Sequence, residues 1–184
     1  MKKLIVTAVL FGIIMGFAFS GILDNRNSLS MAAQNPDSPS IEGKYTGGAK
    51  ITEIFRIGLS PDDLLLESIQ EVIDREKITD GGILSGIGSL KTCNFHYPAS
   101  DDYPSFDKFV SLREPLEILS MSGTIADGKP HIHFAVSRPS QTIGGHLENG
   151  CTVLYLAEIV IAKFDGPPMT RRPDQWNTNI LQKK

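Results

Sequence analysis

The spacing of apolar and polar positions changes period several times along the chain, and each change marks an element. Residues 50–57 read as a strand. Ser60-Pro61-Asp62-Asp63 follows, with a capping hydroxyl, a proline at the first helical position and acids at the positive end of the helix dipole. Over residues 62–76 the period becomes helical. Leu65, Leu66, Ile69, Val72 and Ile73 recur at three- and four-residue intervals and form one stripe to bury against a sheet. This is the one long helix that the pattern predicts, and Gly81-Gly82 closes the unit. Further strands are predicted over 83–95, where Gly86 and Gly88 permit a bulge or a close backbone approach, and over 116–122, 131–137 and 151–161. Asp127-Gly128 and Asn149-Gly150 tolerate positive φ and mark tight turns between them. The fold class is α+β, a single mixed or antiparallel sheet packed with one main helix.

The ends of the chain follow other rules. Met1-Lys2-Lys3 is a short basic start, and residues 4–19 are apolar without a charge, so residues 1–20 read as an export signal. Ala18 and Ser20 supply small residues where a signal peptidase reads, which places the cut before Gly21. The competing reading is a retained N-terminal anchor, because the apolar run is only just short of the ~20 residues that span a bilayer. The expected location is periplasmic or extracellular under the first reading and membrane-anchored under the second. Residues 21–48, with stretches such as Asn35-Pro36-Asp37-Ser38-Pro39-Ser40, read as a flexible linker. Residues 49–164 form the core domain, and residues 165–184 a proline-containing tail that packs along its surface.

Composition narrows the function. A chain of 184 residues with 41% apolar and 21% charged residues can bury one ordinary core. Its 18 basic residues against 21 acidic ones give a net charge of −3, opposite in sign to a surface that grips phosphates. Removing the signal takes away Lys2 and Lys3 and no acid, so the mature chain is more acidic still. Direct, nonspecific DNA binding is disfavoured. Cys93 and Cys151 make neither a disulfide framework nor the paired clusters of a zinc module. They are either free buried thiols or, in an oxidising compartment, a bridge contributing ~4 kcal/mol by loop closure.

The histidines carry the candidate chemistry. On a strand, His131 and His133 project from the same face with Cα atoms about 6.5 Å apart, while Ile132, Phe134 and Val136 face the core. Two imidazoles so placed can converge on one ion. His146 returns on a neighbouring strand or at its start, and Gly144 and Gly145 before it let the backbone come close. Three neutral imidazoles with an open fourth position suit zinc or a similar divalent ion. The plainer reading is that alternate polar residues mark a solvated face. His96, in Phe95-His96-Tyr97-Pro98, has no partner in sequence and reads as a surface or loop histidine.

Glu117 and Glu158 each interrupt an otherwise apolar strand. A buried acid needs a partner, so each could orient a ligating histidine or act as a general base. Alternatively both sit on strand edges or pair with an arginine such as Arg56 or Arg113. The sequence shows no Ser-His-Asp order, no phosphate-cradling glycine loop and no dinucleotide fingerprint.

Taken in order, Gly82-Ile83-Leu84-Ser85-Gly86-Ile87-Gly88-Ser89, Leu116-Glu117-Ile118-Leu119-Ser120-Met121-Ser122-Gly123, His131-Ile132-His133, Gly144-Gly145-His146-Leu147 and Ala157-Glu158-Ile159-Val160-Ile161 resemble the plant and prokaryote conserved domain, also called the domain of unknown function 296. The resemblance covers about residues 50–164. It implies an α+β sheet domain that assembles as a homotrimer, with the histidine cluster near a subunit boundary. Plant members join this domain to a basic hook that enters the minor groove of A·T-rich DNA. That hook is missing here: Arg171-Arg172-Pro173 is a single basic spot without the glycine that lets such a hook lie flat. Three functions follow as expectations. The first is an exported trimer holding a divalent metal or small ligand, the second a protein-interaction module with structural histidines, and the third a DNA-associated regulator.

Overall fold

A computed structural model describes residues 44–184 of the chain. The proposed signal or anchor over residues 1–20 lies outside the described residues, as does most of the linker. Strand β1 (Lys50–Leu59) leads into helix α1 (Leu65–Arg75), followed by β2 (Asp80–Pro98), β3 (Asp107–Leu112), β4 (Leu116–Ala126), β5 (Lys129–Arg138), β6 (Gln141–Leu147) and β7 (Thr152–Asp165). A final pair, β8 (Met169–Pro173) and β9 (Asn179–Lys183), forms a separate hairpin.

The helix starts later than its sequence suggests. The expected cap, Ser60-Pro61-Asp62-Asp63, is instead a tight turn in which the Ser60 amide donates to the Asp63 carboxylate at 2.7 Å and Asp62 takes φ +74°. Beyond it the chain pairs with the start of β7: the Asp62 amide donates to the Val153 carbonyl, and the Leu65 amide to that of Cys151. These bonds hold the backbone extended through Leu64, so α1 begins without a side-chain cap. Its buried stripe is Leu65, Ile69 and Ile73, with Leu66 and Val72 half-buried beside it. The stop is not Gly81-Gly82 but Lys77, at φ +52°. There the Ile78 amide reaches back to Ile73 and the Lys77 amide to Asp74, satisfying the last carbonyls. Gly81 and Gly82 belong to β2, where a Cβ on Gly81 would overlap the Ala162 carbonyl of β7.

The large sheet runs in the order β1-β7-β2-β4-β5-β6, with every pairing antiparallel. The long β2 continues past Phe95 to Pro98. Its first half pairs with β7 and β4, and its second half with β3 and β6. Because β6 also pairs with β5 and β5 with β4, the strands β2, β4, β5 and β6 close a ring. Phe95, Ile132, Phe134, Val136 and Leu147 fill one side of that ring and merge with the core beneath α1. The sheet face that α1 does not cover exposes Leu84, Ile87, Leu119, Tyr155 and Leu156 on the adjacent strands β7, β2 and β4.

The tail does pack along the surface, as a hairpin. Thr170 and Lys184 both donate to the Asp127 carboxylate, which is held below the usual carboxylate range by those bonds. Cys93 and Cys151 are free, buried thiols, and Cys151 Sγ accepts the Asn94 amide at 3.1 Å.

Removing the side chain of Ile69, which is fully buried, empties the contact between helix and sheet. Ile69→Ala is expected to lower the unfolding free energy by about 2–5 kcal/mol. Glu71→Ala on the exposed side of α1 is expected to change it by less than about 0.5 kcal/mol in the same denaturant titration.

Candidate metal centre

The Asp127-Gly128 turn between β4 and β5 takes φ +54° and +70°, the paired left-handed residues that suit a two-residue hairpin. It sets the register of β5 so that Thr124 faces His131 and Ser122 faces His133. Period two does the rest. Ile132 and Phe134 turn into the core, and His131 and His133 point outward together. Their Nε2 atoms are 3.1 Å apart. Two nitrogens bound to one tetrahedral zinc at about 2.05 Å would be about 3.3 Å apart, so the pair needs almost no movement to share an ion.

His146 arrives on β6 through a backbone approach that only glycine allows. A Cβ on Gly144 would overlap the Phe134 carbonyl of β5, and one on Gly145 would overlap the His96 carbonyl of β2. With both side chains absent, β6 pairs on its two edges at once: His146 stands opposite His133 on one side and His96 on the other. The His146 ring centre lies 4.7 Å from that of His131 and 5.5 Å from that of His133. His131, His133 and His146 present ring nitrogens within 4.8 Å of one another. The three histidines singled out in the sequence are thus brought together, and Gly144 and Gly145 let β6 approach its neighbours closely.

His96 does not sit in a loop. It lies on β2 and stacks on His146 with ring centres 4.4 Å apart and planes at 23°. Its Nδ1 donates to the Glu148 carboxylate at 2.6 Å, and its other face meets the Phe109 ring. The sequence did carry a signal for it, because Cys93 and Phe95 point inward and His96 continues the outward set. Ending the strand at Phe95 concealed that alternation. Glu148 follows His146 by the same outward step and was not singled out.

Glu117 and Glu158 are both exposed, so neither is a buried acid in need of a partner. Glu117 stands opposite Ser89 and Ser137, toward the far end of β5 from the histidines. Glu158 stands opposite Gly58 and Ile87, on a strand separated from β5 by β2 and β4. The carboxylates that reach the cluster among the described residues are Glu148, bonded to His96, and Asp107, 3.8 Å from His96 Nε2.

The electrostatics favour the uncharged form of His131 and His146. Burial, helped by the neighbouring His146, Arg171, His133 and His96, pushes His131 down to about 4 from its ordinary 6.5. Burial and the adjacent His96 lower His146 as well. Neutral imidazole is the form that binds a metal. Arg171 of β8 lies beside the strand carrying His131, its guanidinium donating to the carbonyls of Lys129 and Thr124 and to the Thr124 hydroxyl.

Sheet order, ring closure and an outward histidine cluster define a sheet domain with one helix and a metal-competent face. Residues 47–165 match the Plants and Prokaryotes Conserved (PCC) domain, and the chain belongs to that family. A crystal structure of a plant- and prokaryote-conserved protein from Pyrococcus horikoshii aligns at 24% identity with TM-score 0.65, covering 76% of this chain and 98% of that one. A metal-containing protein from Archaeoglobus fulgidus aligns at 26% identity with TM-score 0.65, covering 76% and 99%. Proteins of the same fold from Bacteroides thetaiotaomicron and Ralstonia eutropha carry DNA-binding names at 17% and 24% identity, with TM-scores of 0.63 and 0.60; they cover 74% and 78% of this chain and 96% and 99% of theirs. Among curated proteins, the bifunctional protein GlmU of a Synechococcus strain is 31% identical over 123 residues, 66% of this chain. The chain spans only 19% of that relative's length.

Metal-free protein should register the depressed histidine. The unfolded chain takes up the His131 proton near pH 6.5 and the folded chain only near 4, so stability is complete above the upper value and declines as pH falls through that window. The thermal midpoint measured across it should fall with acidification, and His131→Gln should flatten the decline. An equally steep decline in both proteins would contradict this.

Proposed function

We propose that this PCC domain binds a divalent cation through His131, His133 and His146, and that the bound ion holds a small ligand at its open position. The observation that carries the reading is the convergence of three imidazoles, two of them with Nε2 atoms 3.1 Å apart, with burial favouring the neutral form of His131 and His146. The metal-containing relative from Archaeoglobus fulgidus, built on the same fold, supports it. Zinc or a similar ion in such a site polarises a bound oxygen or lowers the pKa of a bound water. The chain's own residues supply the frame. Gly144 and Gly145 seat β6, Thr124 and Ser122 flank the histidine strand, and Arg171 adds positive charge beside His131, which favours an anionic ligand. A proton-accepting role for Glu117 or Glu158 finds no support in the register, which keeps both away from the cluster.

The same reading makes the protein a homotrimer working outside the cytoplasm. Exposed Leu84, Ile87, Leu119, Tyr155 and Leu156 on neighbouring strands favour burial against other copies of the chain. The basic start and apolar run of residues 1–20 favour export, with the N-terminal anchor as the other route to the same compartment. That apolar patch also favours the second reading, a protein-interaction module whose histidines are structural. A DNA role is disfavoured by the net charge of −3.

Metal analysis of the purified full chain decides between the readings. Wild type is expected to retain about one tightly held divalent ion per chain, and His131→Ala and His146→Ala to reduce that content at least about tenfold. Metal content unaffected by both substitutions would remove the site and leave the interaction module.

A further inference from the structure

The three-histidine centre leaves a portion of the cluster unused. His146 is the middle member of a lateral row, His133 on β5, His146 on β6 and His96 on β2, and an imidazole has two ring nitrogens. On the His133 side lie the donors of the proposed centre. On the other side His96, His146 and Glu148 form a second group whose ligand atoms also lie within 4.8 Å of one another. The Asp107 carboxylate of β3 stands 3.8 Å from His96 Nε2 at the rim.

We propose that His96, His146 and Glu148 form a second divalent-cation position, joined to the first through the His146 ring; the proposal rests on the three-histidine reading above. Two nitrogens and one carboxylate oxygen make a borderline donor set that suits zinc, cobalt(II) or copper(II). The residues are already gathered: the His96 side chain is 18% exposed and that of Glu148 32%, and the two are hydrogen-bonded at 2.6 Å. Cation entry replaces that hydrogen bond: the His96 proton shifts through solvent exchange from Nδ1 to Nε2, so the ring stays neutral, and the freed Nδ1 and the carboxylate turn their lone pairs to the ion. With both positions filled, the remaining N–H proton of His146 leaves to solvent and the ring bridges as imidazolate. The hydrogen bond lost at the second position is to a carboxylate and costs more to break than the imidazole–imidazole bond at the first, which makes the second position the weaker of the two.

Titration of the metal-free full chain with cobalt(II), followed by equilibrium dialysis, reads the stoichiometry. Wild type is expected to take up about two equivalents, the second more weakly, and His96→Ala and Glu148→Gln about one each. His131→Ala is expected to keep the weaker equivalent. Wild type saturating at a single equivalent that His96→Ala leaves intact and His131→Ala removes would overturn the second position while the three-histidine centre stands. Wild type binding none would defeat both. Copper(II) loading of unmutated protein gives an independent check: magnetic coupling through a shared imidazolate should reduce the paramagnetic resonance signal per copper at the second equivalent, and two undiminished, independent signals would overturn the bridge.

Discussion

The structure depends on how closely β6 lies between two neighbouring strands. Strands in a sheet are usually about 4.8 Å apart, and side chains at non-bulged positions do not prevent that. Here the backbone of β6 comes close enough to β5 and β2 that Cβ atoms at Gly144 and Gly145 would overlap carbonyl oxygens on either side. Two consecutive glycines remove the obstruction from both edges. Ring closure through β2–β6 follows, and with it the alignment of His133, His146 and His96 in one row. Gly123 does the same between β4 and β5, where a Cβ would overlap the His131 carbonyl. The glycines therefore determine which histidines meet.

That alignment carries an electrostatic cost that shapes the chemistry. Burial, the neighbouring imidazoles and, at His131, the Arg171 charge favour the neutral form of His131 and His146. Neutral nitrogen donors are the form that a metal ion binds. Glu148 offsets the positive potential on one side only, through its bond to His96, while the Arg171 side stays positive. The cluster thus has a carboxylate end and a cationic end, and ligands should differ at the two.

Local periodicity made much of this legible in the sequence. Period two placed His131 and His133 on one outward face, and the Gly144-Gly145 pair pointed to a close strand approach before His146. The Leu65, Ile69, Ile73 stripe identified the helix. What local pattern could not show was non-local pairing. The bonds from Asp62 and Leu65 to the start of β7 override a good capping sequence and delay the helix. Lys77 ends α1 in a conformation usually left to glycine, so Gly81-Gly82 looked like a stop and is strand. His96 acquires its partners only because β2 bends past Phe95 to meet β6, a contact between residues far apart in the chain. Glu117 and Glu158 seemed buried because their neighbours are apolar, but alternation exposes every second residue whatever surrounds it.

Residues 47–165 place the chain in its family, and the scaffold explains why such a fold can serve unrelated purposes. The core beneath α1 and the ring interior are filled by apolar side chains. All of the candidate chemistry stands on the outer surface of one end of the ring, on positions whose substitution would leave that core intact. The exposed apolar residues of β7, β2 and β4 lie elsewhere on the sheet, so self-association and cation binding make separate demands on the sequence. A chain that kept the apolar strands and lost His96 and Glu148 would keep this core while offering a different donor set. Function within the family is therefore to be read from the outward positions of β2, β5 and β6, and a shared fold name, whether attached to DNA or to metal, does not decide what a given member binds.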